Sequence, residues 1–389
     1  MIQKKGERAV VAIYVDPDFY PPTINAILNL AECFEEIIVI SRNNTRYDYQ
    51  YPENVRLIKI GKCCTVRQME NQPVWIKAFS FLKFVFQLQQ YSNNKKTGLV
   101  LMYDPIALYG FNLIKNIVKR KDKKIWYHNH DMPLKNLASQ FSVGGLGAKH
   151  EHSAMDFIDF FSLPATERKQ CYPGLKNDIP VFIIPNYPSI KLYNNLSQKE
   201  FKRDTIKIIF QGFIDKGICL ENFIELLKEK IDGHELHLIL KGSVRDEYKE
   251  DLNVLVDKFD VRQQLTWVPI GPYRELAELT ASCDIGIGIN KNTDIISKML
   301  STASNKIYEY AACGLPVLLY DSGQYRKHLG KYDWAFFTDG SVDSLREKIK
   351  LMLTCLPALS KSARHSFEEE LNFETVFQPV LDKVISFEK

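Results

Sequence analysis

The sequence predicts an α/β protein made of two doubly wound halves, each with a parallel sheet. Three observations predict it. Short β-rich apolar runs alternate with helical segments along the whole chain. The alternation breaks once, in the polar segment PNYPSIKLYNNLSQKEFKRD at 185–204, and then restarts. The length of 389 residues is enough for two ordinary domains, each with its own core.

The first half opens on AVVAIYV (9–15), an apolar run ended by Asp16-Pro17, which reads as a parallel strand buried on both faces. A helix is predicted over about 23–34, followed by strands at EIIVIS, VRLIKI (55–60), GLVLMYD (98–104), KIWYHN (124–129), DFIDFFSL (156–163) and VFIIP (181–185). After the linker the strands are TIKIIF (205–210), ELHLIL (235–240), QLTWV (264–268), DIGIGI (284–289) and PVLLY (316–320). Helices fall near 219–230, 245–258, 273–282 and 303–312, and amphipathic helices near 341–355 and 373–386 close the chain. The predicted parts are an N-terminal Rossmann-like domain over 1–187, a C-terminal one over 188–370, and a final helix over 371–389 that packs back on the first domain. Ligands of open α/β sheets bind beyond the carboxyl ends of the strands, so two such sheets facing one another predict a deep cleft.

Composition narrows the function. Hydrophobic residues make up 45% and charged residues 25%, a globular composition. A net charge of +4, from 51 basic and 47 acidic residues, lacks the segregated excess of a nucleic-acid binder. The eight cysteines include no CxxC pair and read as reduced thiols, which places the protein in the cytoplasm. The N-terminal stretch MIQKKGERAVVAIYV has neither the long apolar core nor the cleavage site of a signal peptide, and no run is long enough to span a bilayer.

The most informative segment is Ser304-Asn305-Lys306-Ile307-Tyr308-Glu309-Tyr310, continuing to Gly314-Leu315-Pro316-Val317. Ser304 is a good N-cap, Gly314 ends the helix, and Pro316 opens the next strand. The free N–H groups of a helix start suit a diphosphate. Lys306 in the first turn opposes the helix dipole unless an anion sits there, and Glu309 lies one turn deeper, placed to accept ribose hydroxyls. An ordinary capped helix with surface charges fits the same residues. The string SNKIYEYAACGLPVLLYD resembles the donor-binding helix of GT-B glycosyltransferases of the retaining family-four group, in the form common among bacterial polysaccharide enzymes. Over about 180–325 other segments follow in the order of that family: VFIIPN, IIFQGFIDKGICLENFIELL, LILKGS, WVPIGPYRELAELTASCDIGI and CDIGIGIN.

The resemblance implies a GT-B fold and transfer of a sugar from a nucleoside diphosphate to a hydroxyl of a glycan or lipid-linked glycan, with retention. It implies no metal or other cofactor, because lysines and a helix dipole can stabilise the leaving diphosphate. Lys216, Ser304, Asn305 and Lys306 would then hold the diphosphate, Glu309 the ribose, and Gly212, Gly242 and Gly271 the turns beside it, the last two letting the base approach backbone. The chain departs from the family pattern twice. Ser301 stands where many relatives carry the first Glu of Glu-x7-Glu, and Phe213 stands where they carry an Arg. These departures keep a second reading open, an inactive scaffold that binds a nucleotide sugar or a glycan. A GT-B sugar epimerase is a third reading, for which no convincing acid–base set is visible.

In the first half, WYHNHDMP (126–133) puts His128, His130 and Asp131 at the carboxyl end of a strand. One reading is a metal site, with a second HxH at His150 and His152, although carboxylate-rich companions and zinc spacing are missing. Another is a capped loop. The third, which is preferred, is that His130-Asp131 resembles the His-Asp that family-four enzymes present to the transferred sugar. GGLG (144–147) reads as a mobile loop rather than a dinucleotide fingerprint, and the loop from Asp16 to Pro22 as either an acceptor wall or a structural turn.

QPVWIKAFSFLKFVFQLQQY (72–91) is apolar on most faces of a helix and reads first as buried. The alternative is a face that dips into lipid beside a lipid-linked acceptor, an idea that the basic run KNIVKRKDKK (115–124) supports. Together the two segments suggest peripheral contact with the inner face of the cell membrane.

Overall fold

The computed structural model describes residues 6–45, 49–131, 142–173, 175, 178–196, 201, 204–292 and 300–387. The chain divides into two compact units, Met1–Pro185 with Phe373–Lys389, and Asn186–Asn372.

The N-terminal unit runs β1 (Gly6–Ile13), α1 (Pro21–Cys33), β2 (Phe34–Arg42), β3 (Val55–Ile60), α2 (Val66–Glu70), α3 (Val74–Ser92), β4 (Thr97–Tyr103), α4 (Asp104–Ile114), β5 (Lys124–His128), α5 (Val143–Ala154), β6 (Phe160–Leu163) and β7 (Val181–Ile183). Its seven-stranded sheet has the order β3-β2-β1-β4-β5-β6-β7 and is parallel throughout. Strand order reverses between β1 and β4, which is where such sheets hold ligands. The central strands are apolar without alternation because helices cover both faces: Ala9 to Ile13 and Leu99 to Met102 are all buried.

The other unit runs α6 (Ile190–Tyr193), β8 (Thr205–Ile214), α7 (Leu220–Leu226), β9 (Glu235–Val244), α8 (Asp246–Phe259), β10 (Leu265–Val268), α9 (Tyr273–Ala281), β11 (Ile285–Gly288), α10 (Asn305–Ala312), β12 (Val317–Tyr320), α11 (Gly323–Leu329), β13 (Ala335–Thr338), α12 (Val342–Thr354) and α13 (Leu356–Glu369). Its parallel sheet has the order β10-β9-β8-β11-β12-β13, with the reversal between β8 and β11. Two glycines make its geometry. A Cβ on Gly286 would come within 2.4 Å of the Tyr310 ring, so α10 lies close against β11 only because that position has no side chain. Gly242 has φ +139°, and a Cβ there would sit 1.9 Å from the Gly212 carbonyl oxygen. That contact lets β8 and β9 stay paired past their turn region, through Ile214 and Val244.

The last helix, α14 (Phe373–Ser386), belongs to the N-terminal unit. Phe377 stacks on the Trp126 indole at 5.6 Å, and Lys124 donates to the Ile385 carbonyl at 3.0 Å.

Several expectations need correction. The apolar helix α3 is not buried all round. Phe81, Phe84, Val85 and Leu88 face the core, whereas Trp75, Phe79, Leu82 and Phe86 are 71%, 67%, 62% and 59% exposed. Burial requires a covering element, and periodicity does not reveal whether one exists. GGLG is not a loop: Ser142 caps α5 by accepting from the Gly145 N–H at 3.0 Å, and the glycines form the helix's first turns. The expected linker is partly ordered, with Tyr193 of α6 buried against Phe367 of α13. Residues 197–200 and 202–203 of that segment lie outside the described residues, as do Met132 and Pro133 of WYHNHDMP. The sequence reading missed α11 and β13, which are short, and α13, whose Leu356, Leu359, Ala363 and Phe367 do recur at helical spacing.

Candidate functional site

The first candidate site lies at the reversal point of the C-terminal unit's sheet. A depression of about 340 Å³ open to solvent is lined by Phe213 near the end of β8 and Asp215 just after it, Gly288 to Asn290 at the end of β11, Ser304 and Lys306 at the start of α10, and Tyr325 of α11. The sheet order alone puts these elements together, since β8 and β11 are neighbours although 75 residues of chain separate Phe210 from Ile285.

Lys306 is the cation of this site. Its ammonium lies 4.1 Å from the centre of the Phe210 ring, and burial pushes its pKa down to about 8, with Asp215 and Glu309 opposing the shift. A cation so poorly solvated gains from an anionic ligand. Ser304 occupies the N-cap position of α10, but its hydroxyl makes no capping bond. The turn before α10 is instead held by Asn186, whose N–H donates to the Thr302 carbonyl and whose side-chain amide donates to the Ala303 carbonyl, each at 2.9 Å. This anchoring role was not read from the sequence, which offers only a lone Asn after a proline. Asn305 in the first turn has a buried side-chain oxygen with no hydrogen-bond partner.

Other expected residues are placed differently. Lys216 does not line the depression. Asp215 caps the tight turn Lys216–Ile218 by accepting from the Gly217 N–H at 2.8 Å, and the turn directs Lys216 toward α8, 3.4 Å from Asp251 and over the Tyr248 ring. Glu309 is buried below Lys306, and both of its oxygens already accept protein donors. Tyr273 OH donates to Oε1 at 2.9 Å and the Gln211 side-chain amide to Oε2. Burial raises its pKa to about 7. Gly212 sits against Lys306, where a Cβ would be 3.4 Å from Nζ, and Gly271 sits against Lys241. Nothing is described of the Ser301 side chain.

The second cluster is at the reversal point of the N-terminal unit's sheet. His130 is buried between the rings of Tyr20 and Tyr103, with centroids at 5.1 and 4.6 Å, and its Nε2 is 2.8 Å from the Thr23 hydroxyl. Burial holds its pKa well below the ordinary 6.5 and that of His128 at about 3, so both imidazoles are neutral. Both line a small, largely apolar cavity with Trp126, Phe373 and Phe377. Asp131 is exposed and accepts from Tyr20 OH at 3.1 Å, so the loop from Asp16 to Pro22 supplies a direct neighbour of the His-Asp pair. Asp104, which sequence reasoning missed, accepts the His130 backbone N–H at 2.9 Å and is pushed up to about 8 by burial. Arg168 donates to the His130 carbonyl. Beneath them one oxygen of Glu151 takes Tyr127 OH, the Asn129 amide and Tyr172 OH at 2.5, 2.7 and 2.8 Å. The second HxH is separate from the first: His150 stacks on Tyr109 and His152 packs beside Tyr172. Among the described residues no group of three or more His, Cys, Asp or Glu is placed to hold a metal ion.

With this geometry in place, comparison with known proteins bears on the C-terminal unit. Residues 194–369 match the family model for glycosyl transferases group 1. The C-terminal unit is therefore similar to the glycosyl transferases group 1 domain. A search of curated protein sequences returns no significant match. Solved structures similar to the whole chain include sucrose-phosphate synthase from Thermosynechococcus elongatus, with TM-score 0.67, 11% identity, and coverage of 97% of this chain and 98% of that one. Anabaena HepE in complex with UDP and glucose gives TM-score 0.66 at 13% identity, covering 98% and 100%. WaaG, a glycosyltransferase involved in lipopolysaccharide biosynthesis, gives 0.64 at 12%, covering 98% and 100%. Two Rossmann-like parallel-sheet units, as in these structures, make this the GT-B fold class.

Proposed function

We propose that this chain is a glycosyltransferase that moves a hexose from a nucleoside diphosphate to a hydroxyl of a glycan or lipid-linked glycan, with retention of configuration. The observation that carries the reading is the desolvated Lys306 at the start of α10, lining an open depression at the sheet's reversal point within a unit similar to the glycosyl transferases group 1 domain.

In this reading Lys306 and the first N–H groups of α10 hold the diphosphate, with Ser304 and Asn305 beside them. The leaving phosphate oxygen takes the acceptor proton, so the protein chiefly orients substrates and stabilises charge. Neither metal nor cofactor enters the reaction. His130 is neutral and serves as a hydrogen-bonding and orienting group, while the exposed Asp131 is the one that reaches substrate hydroxyls. Because HepE is described with UDP and with UDP-glucose, UDP is the first nucleotide to test.

The exposed face of α3 suits an acceptor held at a membrane. Trp75, Phe79, Leu82 and Phe86 recur at helical spacing with Lys83 exposed beside them and Lys77 half-buried, and Leu113 and Ile117, at and just after the end of the neighbouring α4, are exposed too. No helix among the described residues is long and apolar enough to cross a membrane. The enzyme would act in the cytoplasm at the inner face of the cell membrane.

One observation favours a second reading, an inactive scaffold that binds a nucleotide sugar: Glu309 is engaged by Tyr273 and Gln211, and Lys216 by Asp251. A thermal-shift series with UDP, GDP, ADP, CMP and dTDP, followed by a nucleotide-release assay with UDP-sugars and glycan acceptors, separates the readings. Stabilisation by one nucleotide, lost in Lys306→Met, with acceptor-dependent release of that nucleotide, supports transfer. Stabilisation without release supports the scaffold, and no stabilisation by any nucleotide removes both.

A further inference from the structure

We propose that Arg245 is the second cation of the diphosphate site in the C-terminal unit, held there by stacking on Phe213. The inference rests on the donor reading above and names a binding residue that the motif does not supply.

The charge of the depression poses the problem. Its lining contains one cation, Lys306, and one carboxylate, Asp215, whose oxygens accept from the Gly217 N–H and the Asn292 side-chain amide. A nucleoside diphosphate brings about two to three negative charges, and a near-neutral site holds it poorly. Other cations near these strands are engaged elsewhere. Lys216 faces Asp251, Lys291 lies over the Tyr320 ring, and Lys241 donates to the Pro269 carbonyl at 2.5 Å.

Arg245 is different. It directly follows β9, and pairing of Phe213 with Ser243 and of Ile214 with Val244 brings its backbone beside the end of β8. Its guanidinium carbon lies 5.9 Å from the centre of the Phe213 ring. Phe213 is 51% exposed and is itself part of the wall of the depression. A half-exposed aromatic ring with a guanidinium within cation–π range makes a platform: it orients a planar cation while leaving its N–H groups free. Arg245 is exposed and ends no ladder, so the fold does not require its charge. The carboxylates of Asp246 and Glu247 follow in the first turn of α8, where they suit the helix dipole. The guanidinium fork matches two phosphate oxygens and, with the Lys306 ammonium beside Gly212, the residue before Phe213, would close on the diphosphate.

The test measures UDP and UMP affinity by calorimetry on the full chain, for the wild type, Arg245→Ala, Arg245→Lys and the double variant Phe213→Arg/Arg245→Ala; if UDP fails to bind, GDP, ADP, CDP and dTDP are screened with their monophosphates. The expected result is that Arg245→Ala weakens the diphosphate about tenfold and the monophosphate less than about threefold. Arg245→Lys should be intermediate, and the double variant should recover most of the loss by returning a guanidinium to the wall. The unliganded melting temperature should not change, since the residue is exposed. Equal affinity of wild type and Arg245→Ala for the diphosphate would overturn the role of Arg245 alone. Equal losses for diphosphate and monophosphate would also overturn it, assigning the residue to the nucleoside side. A wild type that binds none of the five diphosphates would overturn the donor reading and this inference with it.

Discussion

The same strand reversal occurs in both units, yet the two carboxyl edges are chemically opposite. In the N-terminal unit most polar groups at the reversal meet one another, and the neutral ring nitrogens His128 Nε2 and His130 Nδ1 are left buried without a partner among the described residues. Asp104 takes the His130 N–H, Glu151 takes three donors, and both imidazoles are neutral. In the C-terminal unit the reversal opens onto a depression with a desolvated ammonium at its wall. One edge is a hydrogen-bonded network of buried groups without net charge on its imidazoles, whose paired members rigidify each other. The other carries a poorly solvated charge beside open solvent, which an anionic ligand would stabilise in the proposed reading. Function in a pair of similar sheets thus follows the side chains at each edge, not the architecture.

The comparison can be broken at several points. The largest expected effect is on Lys306→Met, which should lower turnover by about 100-fold or more while leaving the unliganded protein at least as stable, because a buried charge is removed. Steady-state kinetics beside urea unfolding checks this, and unchanged turnover would break the contrast at its centre. In the N-terminal unit Glu151→Ala should do the reverse. Leaving Tyr127, Asn129 and Tyr172 without their acceptor costs about 2–4 kcal/mol of stability by urea titration. Nucleotide affinity of the C-terminal unit should stay the same.

The pH dependence of nucleotide binding comes next. Lys306 must be protonated to hold a diphosphate and its pKa is near 8, so the dissociation constant should weaken by up to about tenfold per pH unit above 8. Binding there should take up a proton, which calorimetry in buffers of different ionisation enthalpy reads directly. Glu309 acts on stability instead. Its folded pKa of about 7 lies above the ordinary 4.5, so the folded state holds more protons between these values and stability is lost as pH rises through that window. Glu309→Gln should flatten this part of the profile, and an unchanged profile would place the carboxyl in water. The smallest effect on stability belongs to α3. Replacing Trp75 and Phe79 by Ser should move unfolding free energy by less than about 0.5 kcal/mol each while abolishing co-sedimentation with anionic vesicles. A large loss of stability would mean that the face is covered by protein.

How much of this was legible beforehand depends on whether the signal is local. The strands of both sheets other than β13, and α10, were readable because continuous apolar runs, an N-cap residue and Gly314 are short-range signals. Lys306 was picked out for the same reason, as a cation in the first turn of a helix. That Lys216 faces Asp251 was not legible, because its direction depends on how Asp215 closes the following turn. Asp104, Arg168 and Asn186 were missed because each acts on a residue distant in sequence: Asp104 and Arg168 on His130, and Asn186 on the turn before α10. The outward face of α3 was read as buried because periodicity records which residues are apolar, not what lies above them.

By itself, then, the sequence determined most strands and helices in their order, the two-part organisation and the motif around Lys306, since all three rest on residues within a turn or a strand of one another. Tertiary structure decided which charges face each other: that Glu309 is met by Tyr273 and Gln211, that His130 lies between two tyrosines, and that Arg245 lies on Phe213. The physical reason is that backbone preference acts over a few residues, whereas burial and hydrogen-bond pairing are fixed only when distant segments pack.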